Sequence, residues 1–328
     1  MQKITMDEIA ARAGVSRAAV SFALRGSSKV SAKTTELILQ VARELGYRPN
    51  LNASRLARSD FSTFGLLVSD LHNPIMADIM DGFVLSDEES ESEVYLASGF
   101  NSTERERATI NSFLSHRVKG IVLAGSLLES GEIIQLSKMV PTIVVGRRIA
   151  GLDCVLVDEE AGGRLAAKHL LDLGHRKLAH VDGGKGAGAL RRKRAFMKKL
   201  SKAGDVELTL HSGDYTQISG YRAATEMFAQ TERPTGIFAA NDLMALGVLG
   251  AAREAGLRPG SDFALIGFDD ISLAAYDYIS LTTISYSRTE MGQIARRLLL
   301  RRLSDAQLEP ETVELVPNLI VRRSTTTS

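Results

Sequence analysis

Ser16, Arg17, Ala18 and Ser21 lie within six residues of one another on a run that reads as a short helix. Those residue types suit the edges of DNA bases. An arginine at a helix N-terminus forks onto O6 and N7 of guanine, a serine hydroxyl donates or accepts, and an alanine methyl fits the methyl of thymine. A second set is spread along the rest of the chain: Arg147, Arg192, Tyr215, Asn241 and Asp269 each end an apolar run or begin the amphipathic stretch that follows it. A sugar or polyol needs these types. Arg and Asp each reach two vicinal hydroxyls, Asn both donates and accepts, and an aromatic ring stacks on a C–H face.

Other chemistries find less support. Gly183-Gly184-Lys185-Gly186-Ala187-Gly188 follows an apolar run and invites a phosphate-loop reading, but no Ser or Thr follows a Gly-Lys at the required spacing. It reads as a flexible cleft rim. The six histidines and the single cysteine show no metal-ligand spacing. Nucleophile-elbow and paired-carboxylate patterns are missing, Asp269-Asp270 being a pair in sequence only. We therefore expect no catalytic residue, no cofactor and no metal. Cys154 lies on an apolar run and reads as a small buried hydrophobe, and the acidic run 87–93 reads as a solvated loop.

The elements that must position the first set occupy residues 1–58. Thr5 and Glu8 form a capping box for a helix over 6–13, with Ile9, Ala10 and Ala13 as its apolar stripe. Gly14 breaks it, Val15 plugs the turn, and Ser16 caps a second helix that stops at Gly26. Ser31 caps a third, in which Leu37, Val41 and Leu45 recur every four residues before Gly46 ends the run. Two short helices joined by a tight Gly-containing turn, with a third across them, make a helix-turn-helix unit. Thr5, Ser31 and Thr34 place hydroxyls and helix N-termini where phosphates are held. Charge agrees: residues 1–58 carry ten Lys/Arg against four Asp/Glu, net +6, while the remainder carries 30 basic residues against 35 acidic. A basic head on a mildly acidic body points to a polyanion as the head's partner. After Pro49, Asn50 is a good N-cap for a run to Arg58, too short to stand as an isolated helix, in which Leu56 has no core of its own.

From Phe64 the rhythm changes. Apolar strands are expected at 64–69, 94–98, 119–124, 142–145, 154–157, 177–182, 206–211, 235–240 and 262–267, with amphipathic stretches at 74–87, 103–116, 158–173, 189–203, 216–230 and 241–255. That is βαβ repetition, hence mainly parallel sheets with helices on both faces, and so many strands imply two lobes. Ligands in such folds sit at the carboxyl ends of strands, which between two lobes means the cleft. The length of 328 residues allows two or three lobes, and the 44% hydrophobic and 24% charged shares are ordinary globular composition. No apolar run is long enough to cross a membrane, the first residues lack an apolar export segment, and one cysteine suits a reducing compartment, so a cytoplasmic protein is expected.

Specific motifs agree with these readings. Ile4-Thr5-Met6-Asp7-Glu8-Ile9-Ala10, Ala13-Gly14-Val15-Ser16, Ala19-Val20-Ser21, Val30-Ser31-Ala32-Lys33-Thr34 and Leu45-Gly46-Tyr47-Arg48-Pro49-Asn50 resemble the head of LacI-type bacterial transcription regulators. The body is similar to the same family, and behind it to periplasmic sugar-binding proteins. Asn73-Pro74, Val118-Lys119-Gly120-Ile121, Val157-Asp158, Leu173-Gly174-His175-Arg176-Lys177, Ala240-Asn241-Asp242, Gly267-Phe268-Asp269-Asp270 and Leu281-Thr282-Thr283-Ile284 carry that likeness, so the resemblance spans nearly the whole chain.

The resemblance implies an all-α helix-turn-helix head over 1–48, a hinge helix and linker over 49–60, and a two-lobed α/β body over 61–328. One lobe would hold about 61–158 plus 286–312, and the other about 159–285 plus 313–328. It further implies a homodimer that binds near-palindromic double-stranded operator DNA, with no membrane partner, and a small-molecule effector, carbohydrate-like, between the lobes. In the hinge, Asn50, Ala53, Arg55 and Leu56 would face the minor groove, the leucine wedged between base steps. In the cleft, Asn73, Ile75, Met76 and Tyr286 would join the five residues above. The chain departs from the family in four places: Phe22 stands where an arginine is frequent, Ile75-Met76 where aromatics are, Gly146 where an acid is, and Tyr286 where an amide is. A repressor is the expected function. The alternatives are a regulator controlled by a protein co-regulator, or a sugar-modifying enzyme on an α/β scaffold.

Overall fold

A computed structural model describes residues 4–24, 27–47, 63–86 and 92–326. The expected hinge residues Asn50, Ala53, Arg55 and Leu56, and residues 87–91 of the acidic run, lie outside the described residues. The chain divides into two compact units, Met1–Phe61 and Ser62–Ser328.

The first unit contains α1 (Met6–Ala13), α2 (Arg17–Leu24) and α3 (Ala32–Glu44). Thr5 and Glu8 close a reciprocal capping box on α1, and Gly14 takes the left-handed conformation that ends it, φ 68°. Ser16 Oγ accepts from the Ala19 amide at 3.2 Å, and Ser31 Oγ from the Thr34 amide at 3.2 Å. The core is Ile9, Ala10, Val20, Ala23, Ile38, Val41 and Ala42. Here the third helix departs from expectation: Leu37 is 45% exposed, and Ile38 fills the core at 0%. Val41 stays in the core and Leu45 packs against it, while the row one residue on, Ile38 and Ala42, joins them where α3 meets α1 and α2.

The second unit begins with β1 (Thr63–Val68), α4 (Pro74–Leu85), β2 (Glu93–Ser98), α5 (Thr103–Ser115), β3 (Gly120–Ala124), α6 (Ser130–Ser137), β4 (Thr142–Val145) and β5 (Asp153–Val157). It continues with α7 (Glu159–Asp172), β6 (Lys177–Val181), α8 (Ala189–Leu200), β7 (Glu207–His211), α9 (Gln217–Phe228), β8 (Gly236–Ala239), α10 (Asp242–Glu254) and β9 (Ala264–Phe268). A 3₁₀ turn at Ser272–Ala275, β10 (Thr282–Ser285), α11 (Arg288–Ser304), β11 (Thr312–Leu315) and β12 (Asn318–Ile320) complete it. Among the described residues no helix is long and apolar enough to cross a membrane.

The strands form two six-stranded sheets, ordered β11-β5-β4-β3-β1-β2 and β12-β10-β9-β8-β6-β7. Every pair is parallel except β10 with β12. In the first sheet β1 lies between β2 and β3, and in the second β6 lies between β7 and β8. The direction of winding reverses there, which opens a crevice at the carboxyl ends of the strands. Residues 312–315 correct one expectation. Placed with the second lobe from residue 313 on, they pair with Cys154–Val157 of the first sheet, so the last crossing of the chain falls between β11 and β12. The Thr-Val-Glu-Leu of β11 reads equally well as an edge strand of either sheet, so only the pairing decides.

Helix α11 returns to the first sheet and packs tightly on α4. A Cβ on Gly82 would collide with the Thr289 carbonyl, and one on Gly292 with the Ile79 carbonyl. Each helix thus offers the other a glycine at the crossing, and backbone meets backbone. Gly82→Ala is expected to force the helices apart and lower stability by about 1–3 kcal/mol, visible as a lower melting temperature. Gly131→Ala is the control, because a Cβ there meets nothing within 4 Å.

Candidate functional site

In the head, α2 presents Arg17 and Ala18 exposed, with Ser21 and Phe22 half-buried beside them. The Arg17 side chain is 70% exposed and its Nε lies 3.7 Å from Asp7, a loose surface pair that yields readily to another anion. The Lys29 ammonium sits 5.1 Å from the centroid of the Phe22 ring. Thr5 spends its hydroxyl and amide on Glu8, and Ser31 Oγ lies 2.8 Å from Thr34 Oγ1. Thr5 and Ser31 are exposed N-caps, whose neighbouring helical amides attract anions.

In the second unit, a cavity of about 580 Å³ opens where the two winding reversals face each other. Ser69 and Asp70 follow β1, Gly125 follows β3, Gly183 follows β6 and Asn241 follows β8, and all line it. Of the nine expected ligand positions, Asn73, Ile75, Met76, Arg192, Tyr215, Asn241, Asp269 and Tyr286 line the same cavity. Asn73 caps α4 through the Ile75 amide, which brings Ile75 and Met76 to the wall. Asn241 caps α10 through the Met244 amide and donates to the Tyr215 carbonyl at 3.2 Å. Tyr215, at φ 68°, donates its hydroxyl to the Ala187 carbonyl at 2.9 Å. Its ring lies against Gly183 and Gly186, where a Cβ would overlap it. The glycine-rich loop is therefore the seat of an aromatic ring.

Arg147 does not join them. Its guanidinium turns back to donate to the Leu128 carbonyl, and it is not among the cavity-lining residues. Gly146, at φ 101°, redirects the chain just before it. A residue that ends a strand can point to either side of the sheet end, and this turn takes Arg147 away from the cavity.

The cavity floor is charged and buried. Arg192 is 3% exposed. Its Nε and Nη2 donate to Glu159 Oε2 at 2.9 and 2.6 Å, Nη1 donates to the Ala240 carbonyl, and the guanidinium carbon lies 3.3 Å from the Phe268 ring centroid. Burial works against the guanidinium charge, yet Glu159 holds Arg192 above its ordinary value. Burial pushes the Glu159 carboxyl up, with Arg192 opposing. Asp269 is 4% exposed and accepts from the Tyr286 hydroxyl at 2.9 Å. Burial raises its pKa to about 6 against the pull of Arg192 and Tyr286. Asp269 (φ 109°) and Asp270 (φ 53°) both lie in the left-handed region, a backbone cost that surrounding contacts must offset. Glu159 was missed by sequence reading: as the first residue of α7 beside Glu160, it looks like an ordinary acidic first turn. Asp70, His72, Asn101, Gln217 and Lys185 also line the cavity; only Lys185 carried a signal, its glycine-rich surroundings.

Two measurements follow. Arg17→Ala is expected to weaken binding to a selected DNA site by about 1–3 kcal/mol and to spare random DNA more, as read by titration on both. An equal loss on the two would make Arg17 a phosphate contact. Asp269 gives a pH signature. Its folded pKa of about 6 lies above the ordinary 3.8, so the folded state binds the proton first. The ligand-free protein should therefore gain stability as pH falls through about 6, the gain being complete near about 4. Glu159, shifted the same way, adds to it. The difference in melting temperature between wild type and Asp269→Asn, followed from about pH 7 to about pH 5, isolates the Asp269 share.

Comparison with known proteins agrees with this geometry. Residues 5–50 match the family profile of bacterial regulatory proteins, lacI family, and residues 167–325 that of the periplasmic binding protein-like domain. The chain is 33% identical to the HTH-type transcriptional repressor PurR of Erwinia tasmaniensis, over 98% of this chain and 96% of that one. It superposes on the lac repressor dimer bound to operator and the anti-inducer ONPF with a TM-score of 0.85 at 27% identity, covering 99% of this chain and 100% of that chain. It superposes on a complex of the transcriptional regulator CelR with cellobiose with a TM-score of 0.73 at 30% identity, covering 98% and 99%. A lacI-type helix-turn-helix head followed by a two-lobed periplasmic-binding-protein-like body is the fold this chain shares with the lac repressor. The chain belongs to the LacI family, and it is a DNA-binding transcriptional regulator, not an enzyme.

Proposed function

We propose that this protein is a homodimeric repressor in the bacterial cytoplasm whose operator affinity is set by a sugar or sugar derivative held between the two lobes. The observation that carries the reading is the buried pair Arg192 and Asp269 at the floor of the cavity. Arg192 has five N–H donors and places three on Glu159 and Ala240, so two remain for a ligand. Asp269 places one oxygen on Tyr286 and has the other as acceptor. A donor fork beside a carboxylate matches adjacent hydroxyls, and the Tyr215 ring supplies a flat wall. The cellobiose complex of the related CelR supports a carbohydrate, and the operator-bound dimer of the lac repressor supports a dimer on DNA.

The working cycle is a population shift. Two heads read half-sites of a near-palindrome through Ser16, Arg17, Ala18, Ser21 and Phe22. Thr5, Ser31 and Thr34 hold phosphates, and Asn50, Ala53, Arg55 and Leu56 meet the minor groove. Effector that binds one lobe arrangement better than the other shifts the spacing of the two heads, and linkage returns that preference to the DNA. A nucleoside is the second reading, favoured by the apolar wall of Ile75, Met76, Ile79 and Leu127, which suits a base while its ribose meets Arg192 and Asp269.

A thermal-shift screen with cellobiose, D-ribose, glucose 6-phosphate and adenosine separates these. Saturation at 100 times the dissociation constant adds roughly 2.7 kcal/mol. Asp269→Asn is expected to lower affinity for the active compound by about ten- to a hundredfold and to leave ligand-free DNA binding intact. Arg192→Ala should do the same and also destabilise the free protein by about 3–5 kcal/mol, because it strands Glu159 in the interior. A response to none of the four compounds, or a full response in Asp269→Asn, overturns the reading.

A further inference from the structure

Arg288 is the first residue of α11, after the Ser287 cap. A cation there opposes the positive end of the helix dipole, so the helix gains nothing from it. The side chain is 16% exposed and has two partners. Nε donates to Asp78 of α4 at 2.6 Å, within the first lobe. Nη1 donates to the backbone carbonyl of Asp269, at the end of β9 in the second lobe. One guanidinium thus ties both walls of the cavity, since Asn73, Ile75 and Met76 at the start of α4 line it from one side and Asp269 from the other.

The residue it grips is the strained one. Asp269 and Asp270 hold successive positive φ angles, which persist only where contacts over-determine them. The Asp269 amide donates to the Ile284 carbonyl at 2.8 Å, its carboxylate accepts from Tyr286, and Arg322 holds the Asp270 carboxylate at 2.7 Å. All of those partners belong to the second sheet or its flanks. Arg288 alone among these contacts starts from a helix packed on the first sheet. Rotation of one lobe against the other leaves Arg288 with Asp78, because α11 and α4 are locked backbone to backbone at Gly82 and Gly292. The same rotation pulls the guanidinium off the Asp269 carbonyl.

We propose that Arg288 is a positioning residue that makes the aim of the Asp269 carboxylate depend on the lobe angle. With Arg288 on the carbonyl, the strained turn is held and the carboxylate faces the cavity; with the lobes apart, the turn loses its cross-lobe support. Asp78 is the anchor that keeps the guanidinium extended. The consequence for effector binding rests on the role of Asp269 proposed above; the effect on the lobes does not.

The test uses the full-length chain carrying Lys138→Cys in the first lobe and Lys202→Cys in the second, both exposed, spin-labelled and diluted with unlabelled protein. Pulsed electron paramagnetic resonance reads the interlobe distance without ligand. Arg288→Met should add or enlarge a longer-distance population, and Asp78→Asn should do so to a smaller extent, with a melting temperature close to that of the parent. Where Arg288→Met does not fold, Arg288→Lys stands in: it keeps the charge, reaches one partner and should also broaden the distribution. An unchanged distribution in folded Arg288 variants overturns the proposal. Cellobiose affinity is the second readout, with an expected loss of about tenfold in Arg288→Met. If cellobiose binds neither parent nor variant while the distances shift, cellobiose is not the effector and the clamp stands. If cellobiose binds both equally, the link from Arg288 to the Asp269 carboxylate fails.

Discussion

The buried pair of Arg192 and Glu159 holds the floor of the cavity together. A guanidinium taken out of water needs its charge and its donors answered on the spot, because the desolvation penalty is several kcal/mol for each ion. Here α7 supplies the carboxylate, the end of β8 supplies a carbonyl, and the end of β9 supplies the Phe268 ring. Three chain segments distant in sequence are therefore drawn to one point, and that point is the cavity floor. The contacts of Arg192 also explain close packing nearby. Gly163 of α7 meets the Arg192 carbonyl, and Gly188 leaves room for the Glu159 carboxylate, so a side chain at either position would push the pair apart.

Around that floor, strain and capping divide the work. Tyr215 and Asp269 both sit at positive φ, and both have side chains facing the cavity. Asn73 and Asn241 face the cavity too, but each spends an oxygen on the first turn of a helix. The asparagines therefore fix where α4 and α10 begin, which sets the walls, while the strained residues aim the groups that have bonding capacity left. A cavity built this way changes shape when the lobes move, because its walls come from both sheets.

The head follows a different logic. Its core is small, and three of its hydroxyl side chains serve as caps: Thr5 with Glu8, Ser16 with the Ala19 amide, Ser31 with Thr34. What is left exposed on α2 is Arg17 and Ala18. Caps define three helices too short to stand alone, and seven buried apolar side chains set their mutual packing.

Much of this was legible in the chain itself. The nine strands expected from periodicity all exist, as do the three head helices and their caps, because runs of alternating or i, i+4 character and Ser/Thr/Gly punctuation are local signals. Eight of the nine expected cavity residues reach the cavity, because the loops and helix N-termini that follow parallel strands gather at the carboxyl edge of each sheet. Tertiary structure decided the rest. Whether Leu37 or Ile38 enters the head core depends on which row α1 and α2 meet. Whether β11 joins one sheet or the other depends on pairing, which a four-residue edge strand does not encode. Arg147 leaves the cavity because the chain turns at Gly146. Glu159 lines the cavity and Arg288 reaches the backbone of Asp269 behind it, both from helix N-termini, where their types read as an ordinary acidic turn and a surface cation. Their roles come from partners 33 and 19 residues away in the chain, and a contact between distant segments exists only after folding has brought them together.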